Sequence, residues 1–301
     1  MSSETITADA AGTWQLGDLT VNRVGFGAMR LTGSAAFHLG TPSDRERSIS
    51  VLRRAIELGV NHIDTAAFYF SSLRSANELI NRALAPYPKD LVITTKVGPV
   101  RDPSGAWQPP ARPEELRGQV EENLRQLGRD HLDVVNLRLM GQDSVAEHFG
   151  ALAELRDAGL IRHLGISNVT GDGLAEARSV APVVCVQNRY GLQSRSADAD
   201  DILRVCGEQG IAFVPFFAIA GEGREQGAGA AVSGDDEVLT AVAGAHGATV
   251  SQIRLAWTLH QGPHVLAIPG TGNPDHLVEN VAAGALRLTA DETARLDSLP
   301  S

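Results

Sequence analysis

Two patterns alternate along most of the chain. Segments with apolar residues at three- and four-residue spacing are followed by short runs that are apolar throughout. The clearest of the first kind is ERSISVLRRAIELG (46–59), whose apolar stripe predicts an amphipathic helix stopped by Gly59. The apolar run NHIDTA follows and reads as a strand. The couplet recurs: a helix near 75–85 then LVITTK, 113–127 then LDVVNLR, 144–158 then IRHLGIS, 172–180 then VVCVQN, 198–209 then IAFVPF, and 249–260 then HVLAIP. About eight short strands result, apolar on both faces, as strands covered by helices on both sides are. A regular repeat of this length predicts a (β/α)8 barrel rather than a doubly wound sheet. Before it, TWQLGDLTVNRVGFG reads as a hairpin turning at Gly17-Asp18, placed to plug the barrel's bottom. Residues 1–12 read as a disordered tail and 13–301 as one barrel domain, since no composition shift marks a linker. The Gly/Ala-rich stretch 218–232 reads as a mobile loop over the site or as a plain connector.

Composition narrows the function classes. The 301 residues suffice for a large core. A formal net charge of -10 argues against nucleic acid as a partner, while leaving room for a local basic pocket. The two cysteines, Cys185 and Cys206, predict buried thiols rather than a disulfide framework. No Cys or His spacing suggests a metal. The N-terminus lacks a signal-peptide pattern, and no apolar run approaches the ~20 residues of a membrane helix. The expectation is a cytoplasmic protein whose partner is a small molecule.

Candidate chemistry gathers at the C-terminal ends of the expected strands, where barrels of this kind carry their sites. Asp64, Lys96, Arg138, Ser167, Asn168, Gln187 and Phe216 all fall there, with Tyr69 just beyond the Asp64 strand. A Tyr beside a Lys, with the Lys held by an Asp, is a way to make a phenol transfer a proton. Reduction of a carbonyl requires such a proton once hydride arrives. Each residue alone also has a bland reading: a strand cap for Lys96, a turn cap for Asp64, a packed aromatic for Tyr69, a structural salt bridge for Arg138. Their clustering at consecutive strand ends favours chemistry.

GVNHIDTAAFY, ITTKVG, GLIRHLGISNV, VQNRY and IPGTGNPDHLVEN occur in order over nearly the whole length. With these motifs the chain resembles the aldo-keto reductases. DVVNLRLMG, VCVQNRY and FVPFF look most like that family's bacterial pyridoxal reductase branch. The resemblance implies Tyr69 as general acid in reduction and base in oxidation. Lys96 would lower the phenol's pKa from about 10, and Asp64 would keep Lys96 charged. The family's usual His at the fourth position is Arg138 here, which cannot shuttle a proton and is expected to position substrate. NADP(H) is the implied cofactor. Ala28 and Met29 would line the nicotinamide side, Ser167, Asn168 and Gln187 would bind its carboxamide, and Phe216 would stack on it. Gly221 and Gly223 would approach the pyrophosphate, and Gly270, Thr271, His276, Glu279 and Asn280 would form the adenosine-phosphate site.

Some positions depart from that pattern. Gly270 and His276 stand where Lys and Arg usually grip the 2′-phosphate, which leaves NAD(H) open. Phe70 replaces the usual Gly after the Tyr, and Ala218-Ile219-Ala220-Gly221 replaces the branch's Pro-Leu-Gly-Gly. Phe68, Phe70, Trp107 and Phe217 form a candidate aromatic substrate rim, with packed loop aromatics as the plainer reading. Three functions follow from the resemblance: a pyridoxal or related aldehyde reductase, a ketoreductase or dehydrogenase tailoring a larger metabolite, and a redox-sensing NADP(H)-binding module with little turnover.

Overall fold

The computed structural model describes residues 6–34, 39–219 and 237–300. Its first strands, β1 (Thr13–Leu16) and β2 (Leu19–Asn22), form the expected hairpin across Gly17-Asp18. Seven parallel strands follow in one sheet: β3 (Phe26–Gly27), β4 (His62–Asp64), β5 (Val92–Val97), β8 (Leu132–Arg138), β9 (Ile161–Ser167), β10 (Cys185–Gln187) and β11 (Ala212–Phe213). A small antiparallel pair, β6 (Val100–Arg101) and β7 (Trp107–Gln108), projects from the loop after β5. The segment 264–268 closes the sheet. Val265 bridges Phe213 on one side and Ala267 bridges Val24 on the other, with Gly25 N donating to Ala267 O at 2.8 Å. This closed eight-stranded ring is the (β/α)8 barrel expected from the pattern.

The helices lie outside the ring. They are α1 (Arg45–Glu57), α2 (Ala76–Leu84), α3 (Leu116–Leu127), α4 (Ala146–Asp157), α5 (Gly171–Val180), α6 (Ala197–Glu208), α7 (Glu237–His246), α8 (Val250–His260), α9 (Pro274–Ala282) and α10 (Ala290–Asp297). Local signals set their ends. Asp44 caps α1 by accepting from Arg47 N at 2.7 Å, and Gly59 leaves that helix at φ +80, where a side chain would be strained. Outward-facing strand residues such as Ile63, Ile93 and Val135 join the helix faces in the main apolar core. Inward-facing Val92, Val134, Cys185, Ala212 and Leu266 meet Leu16 and Val21 of the hairpin in a second cluster. The hairpin therefore stoppers the bottom of the barrel.

The expected disordered tail is corrected for its described part. Ala8–Ala11 form a short 3-10 helix, with Ala8 buried and its N–H donating to Leu58 O at 2.8 Å. Arg287 Nη2 also reaches Ala10 O at 2.7 Å. Small alanines let this segment lie flat over the helix ends. Both cysteines are buried free thiols. Among the described residues no helix is long and apolar enough to cross a membrane, and no His/Cys/Asp/Glu group could hold a metal ion.

Candidate active site

Strand parity and register bring the predicted residues together. Within β4, β5, β8 and β10, alternate residues face inward, so Asp64, Lys96, Arg138 and Gln187 all point into the top of the barrel. Parallel pairing sets Asp64 beside Thr94, Lys96 beside Asn136, Arg138 beside Ser167, and Gln187 beside Ser167. Lys96 Nζ donates to Asp64 Oδ1 at 2.6 Å and to Thr65 O at 3.0 Å. Gln187 Nε2 donates to the other Asp64 oxygen at 2.9 Å, and Asn136 Nδ2 reaches Gln187 Oε1 at 3.4 Å. The Asp64 carboxylate is thus held from two sides in a nearly dry setting.

Tyr69 lies in the loop after β4, buried, with Lys96 Nζ 4.9 Å from its ring centroid. Burial on its own would discharge Lys96. The adjacent Asp64 carboxylate and Tyr69 outweigh it, and the ammonium ends with a raised pKa. Tyr69 behaves differently from the expectation. Burial raises its pKa; Lys96 and Arg138 pull it down and Asp64 pushes it up, and the balance is upward. The cations temper the desolvation without overcoming it, so the phenol is held protonated. His62, on the same inward face as Asp64, is pushed by burial down to about 4 and stays neutral.

Arg138 is turned into the site and not into an ion pair on the outside. Its Nη1 donates to Ser167 Oγ at 3.1 Å, and the guanidinium lies 4.9 Å from the Phe216 ring centroid. Burial lowers its pKa, partly offset by Tyr69 and Asp64, but a guanidinium keeps its charge.

Of the residues assigned to a nicotinamide cofactor, Gln187 meets Asp64, and Ser167 and Phe216 meet Arg138. Ser167 and Gln187 are buried at adjacent strand ends. Asn168 follows at φ +61 and donates to Leu139 O at 3.1 Å. Gln187 spends its amide on Asp64 and Asn136, so the structure gives it a share in holding the Asp64 carboxylate that the sequence did not suggest. Ala28 is fully buried and Met29 half-buried, in a 3-10 turn after β3. Gly270 needs its lack of side chain: an added Cβ would run into the Gly27 carbonyl oxygen. That contact presses the 268–270 backbone against β3 and excludes a long cation from position 270. Beyond it, Thr271 accepts from Asn273 N at 3.0 Å, and Asn273 caps α9. The remaining N–H groups of this turn and exposed His276 are suited to a phosphate; Glu279 and Asn280 follow on the same helix. Gly221 and Gly223 lie outside the described residues.

The candidate aromatic rim makes contacts of two kinds. Phe68 packs edge-on against Tyr69 (5.1 Å) and Trp107 (6.0 Å). Phe217, at φ +64, meets Phe216 edge-on at 5.2 Å. Phe70 and Trp107 also face the Arg101 guanidinium, at 4.3 Å and 5.4 Å.

Sequence reasoning missed three supporting groups. Asn136 lies two residues before Arg138, on the same strand face, so the parity rule would have found it. Asn188 locks the backbone after Asn168 by accepting from Val169 N at 3.0 Å and donating to Val169 O at 2.7 Å. Outside the barrel, Thr65, Asn77, Asn123 and Thr95 form a buried hydrogen-bonded chain that ties the ends of β4 and β5 to α2 and α3. It fixes the Thr65 backbone that receives Lys96.

The aldo/keto reductase family model matches residues 23–300. The chain belongs to the aldo/keto reductase family. It is 43% identical over 297 residues to pyridoxine 4-dehydrogenase of Escherichia coli (strain K12), covering 96% of this chain and 99% of that protein. Among solved structures, a thermostable aldo-keto reductase bound to the inhibitor epalrestat matches with a TM-score of 0.78 and 30% identity, over 95% of this chain and 98% of that one. An aldo-keto reductase from Klebsiella pneumoniae in complex with NADPH matches with a TM-score of 0.73 and 27% identity, over 92% and 90%.

Proposed function

We propose that this protein is an NADP(H)-dependent oxidoreductase interconverting a carbonyl and an alcohol, with Tyr69 as general acid in reduction and general base in oxidation. The observation that carries this reading is the buried Lys96 ammonium, 2.6 Å from Asp64 and 4.9 Å from the Tyr69 ring centre. Bound NADPH would supply the hydride. Ser167 and Asn168 would orient its carboxamide, Phe216 would offer a ring face, and the turn at 270–273 before α9 would receive phosphate. Tyr69 holds the proton at Oη and delivers it to the carbonyl oxygen as that oxygen becomes an alkoxide, a far stronger base than phenolate. Lys96 stabilises the phenolate left behind, and Asp64 keeps Lys96 charged and aimed. Arg138 adds a second, fixed cation beside the carbonyl oxygen. An intact and buried acid assembly of this kind supports turnover over a binding-only role. Residence in the cytoplasm, where buried free thiols persist, is part of the same proposal.

Pyridoxal is the first substrate we propose, on the similarity to pyridoxine 4-dehydrogenase. Its ring carries an ionisable hydroxyl next to the aldehyde, which a fixed guanidinium suits. A second reading, a ketoreductase for larger apolar metabolites, is favoured by the exposed Leu73 (68%) and Met140 (44%) on loops after β4 and β8 and Trp107 (40%) on β7. NADPH oxidation with pyridoxal, simple aryl aldehydes and bulky ketones separates the two. Activity on bulky ketones alone would remove the pyridoxal reading, and no turnover on any of them would sink both.

Two further outcomes are expected. Arg138→Gln keeps a donor and removes the charge, costing about 1.5–3 kcal/mol of a charge-assisted bond. KM for carbonyls bearing an adjacent carboxylate or phenolate should then rise about 10–100-fold, and neutral aldehydes should change less. Equal effects on both would refute the charge role. The pH dependence should also be one-sided. With the Tyr69 pKa raised and His62 held near 4, the phenol stays protonated across neutral pH. Reduction should therefore be flat there and fall only in alkali, whereas oxidation should keep rising with pH. An inflection of kcat for reduction near the ordinary His pKa of about 6.5 would contradict this.

A further inference from the structure

The backbone around Tyr69 is held by a residue that no part of the reaction requires. Arg101, on β6, donates from Nη1 to Phe68 O at 2.9 Å and to Phe70 O at 3.3 Å, the carbonyls on either side of Tyr69. The Tyr69 carbonyl between them accepts from Ala76 N at 2.9 Å. Three successive carbonyls are thereby tied, two of them by one guanidinium. Arg101 is itself pinned: its Nε donates to Gly105 O at 3.2 Å, inside the β6–β7 turn. The guanidinium also lies 4.3 Å from the Phe70 ring centre and 5.4 Å from that of Trp107.

We propose that Arg101 is a positioning residue that clamps the loop on both sides of Tyr69 to the β6–β7 hairpin and so sets where the phenol sits during turnover. The clamp matters because the loop is open on the side towards α3, although Phe68 and Tyr69 themselves are buried. An open groove of about 720 Å³ borders Ala67, Phe68, Phe70 and Lys96 on one side, and Gln119 and Asn123 of α3 on the other. With that side open, the directional bonds to the loop's carbonyls add to the apolar contacts of Phe68 and Tyr69 in setting its position. The guanidinium serves two carbonyls from Nη1 and the turn from Nε while its plane lies against the rings, whereas a lysine ammonium is a point donor on a flexible stem. The arrangement also explains Phe70. Its ring covers the guanidinium, a task that glycine, usual after the catalytic Tyr in this family, cannot perform.

The inference rests on Tyr69 being the proton donor, so the test includes Tyr69→Phe. Arg101→Met, Arg101→Lys and Phe70→Leu are compared with wild type for kcat and KM on pyridoxal and 4-nitrobenzaldehyde, and for NADPH affinity by fluorescence titration. A phenol displaced by about 1 Å costs on the order of 10²-fold, so Arg101→Met should lower kcat about 10–100-fold with NADPH affinity changed less than about twofold. Arg101→Lys should recover only part of the loss. Phe70→Leu, which leaves the hydrogen bonds but uncovers the guanidinium, should lose a few-fold in kcat and reports on the clamp if Arg101→Met does not fold. Wild-type kcat in folded Arg101→Met, or in folded Phe70→Leu where Arg101→Met cannot be made, overturns the clamp. So does a kcat loss matched by an equal loss of NADPH affinity. Retained turnover in Tyr69→Phe would instead overturn the assignment of the acid, independently of what the Arg101 variants do.

Discussion

Tyr69→Phe is expected to lower kcat for carbonyl reduction by about 10²–10⁴-fold, the usual worth of a positioned general acid, while leaving NADPH affinity near wild type. The substitution removes one oxygen from a ring that is already packed. Phe68 would still meet the ring edge-on at 5.1 Å, the Tyr69 carbonyl would keep its bond from Ala76 N, and the flanking Phe68 and Phe70 carbonyls would keep theirs from Arg101. The loss should therefore be chemical rather than structural. Without the phenol the developing alkoxide faces only Lys96 and Arg138. Both can stabilise negative charge, but Arg138 cannot give up a proton, and Lys96 is kept protonated by Asp64. Residual activity, if any, should be insensitive to pH across the neutral range. It is measured as single-turnover NADPH oxidation, with NADPH binding followed separately. A Tyr69→Phe enzyme within about tenfold of wild type would mean that water or another residue supplies the proton.

The legible parts of this molecule are those encoded by period and position. Asp64, Lys96 and Arg138 were findable because each ends an apolar run, and parallel strands bring their ends to one face. The closing strand at 264–268 was legible as an apolar run although only bridges at Val265 and Ala267 hold it. Helices α9 and α10 left weaker traces. α10 buries only Leu296, so it has no apolar stripe to read. α7 fully buries only Leu239, Val242 and Ala243, with Val238 packed at the edge. Two features of the site had no pattern to betray them. Arg101 acts on main-chain carbonyls, and any residue supplies those, so nothing at Phe68 or Phe70 announces a partner. The direction of the Tyr69 pKa was misread because a nearby Lys is visible in sequence, whereas the loss of water around a phenol exists only once the barrel, the loop and Phe68 have closed over it.

Lys96→Met should cost stability as well as activity, and the two costs have different remedies. Lys96 and Asp64 are both buried, and their pair is the central ionic contact of the barrel mouth. Removing the cation leaves the Asp64 carboxylate with Gln187 as its side-chain donor. Breaking one side of a buried pair typically costs about 3–5 kcal/mol, because the surviving charge remains desolvated. In wild type the raised Lys96 pKa means its contribution is fully present below the ordinary lysine value and is lost only as pH rises through the raised one, so neutral pH lies on the stable side. The variant reverses this. A buried carboxylate without its cation binds a proton more readily than the same group in the unfolded chain. Its deficit should be largest at pH 8 and shrink as pH falls towards 5, in urea melts at about those two values. Adding Asp64→Asn to Lys96→Met removes the stranded charge and should restore much of the stability. It should not restore the activity, because Arg138 alone is then left to stabilise the Tyr69 phenolate. A deficit equal at both pH values and unrelieved by Asp64→Asn would show that Lys96 contributes by packing, and the electrostatic account of the proton donor would fall with it.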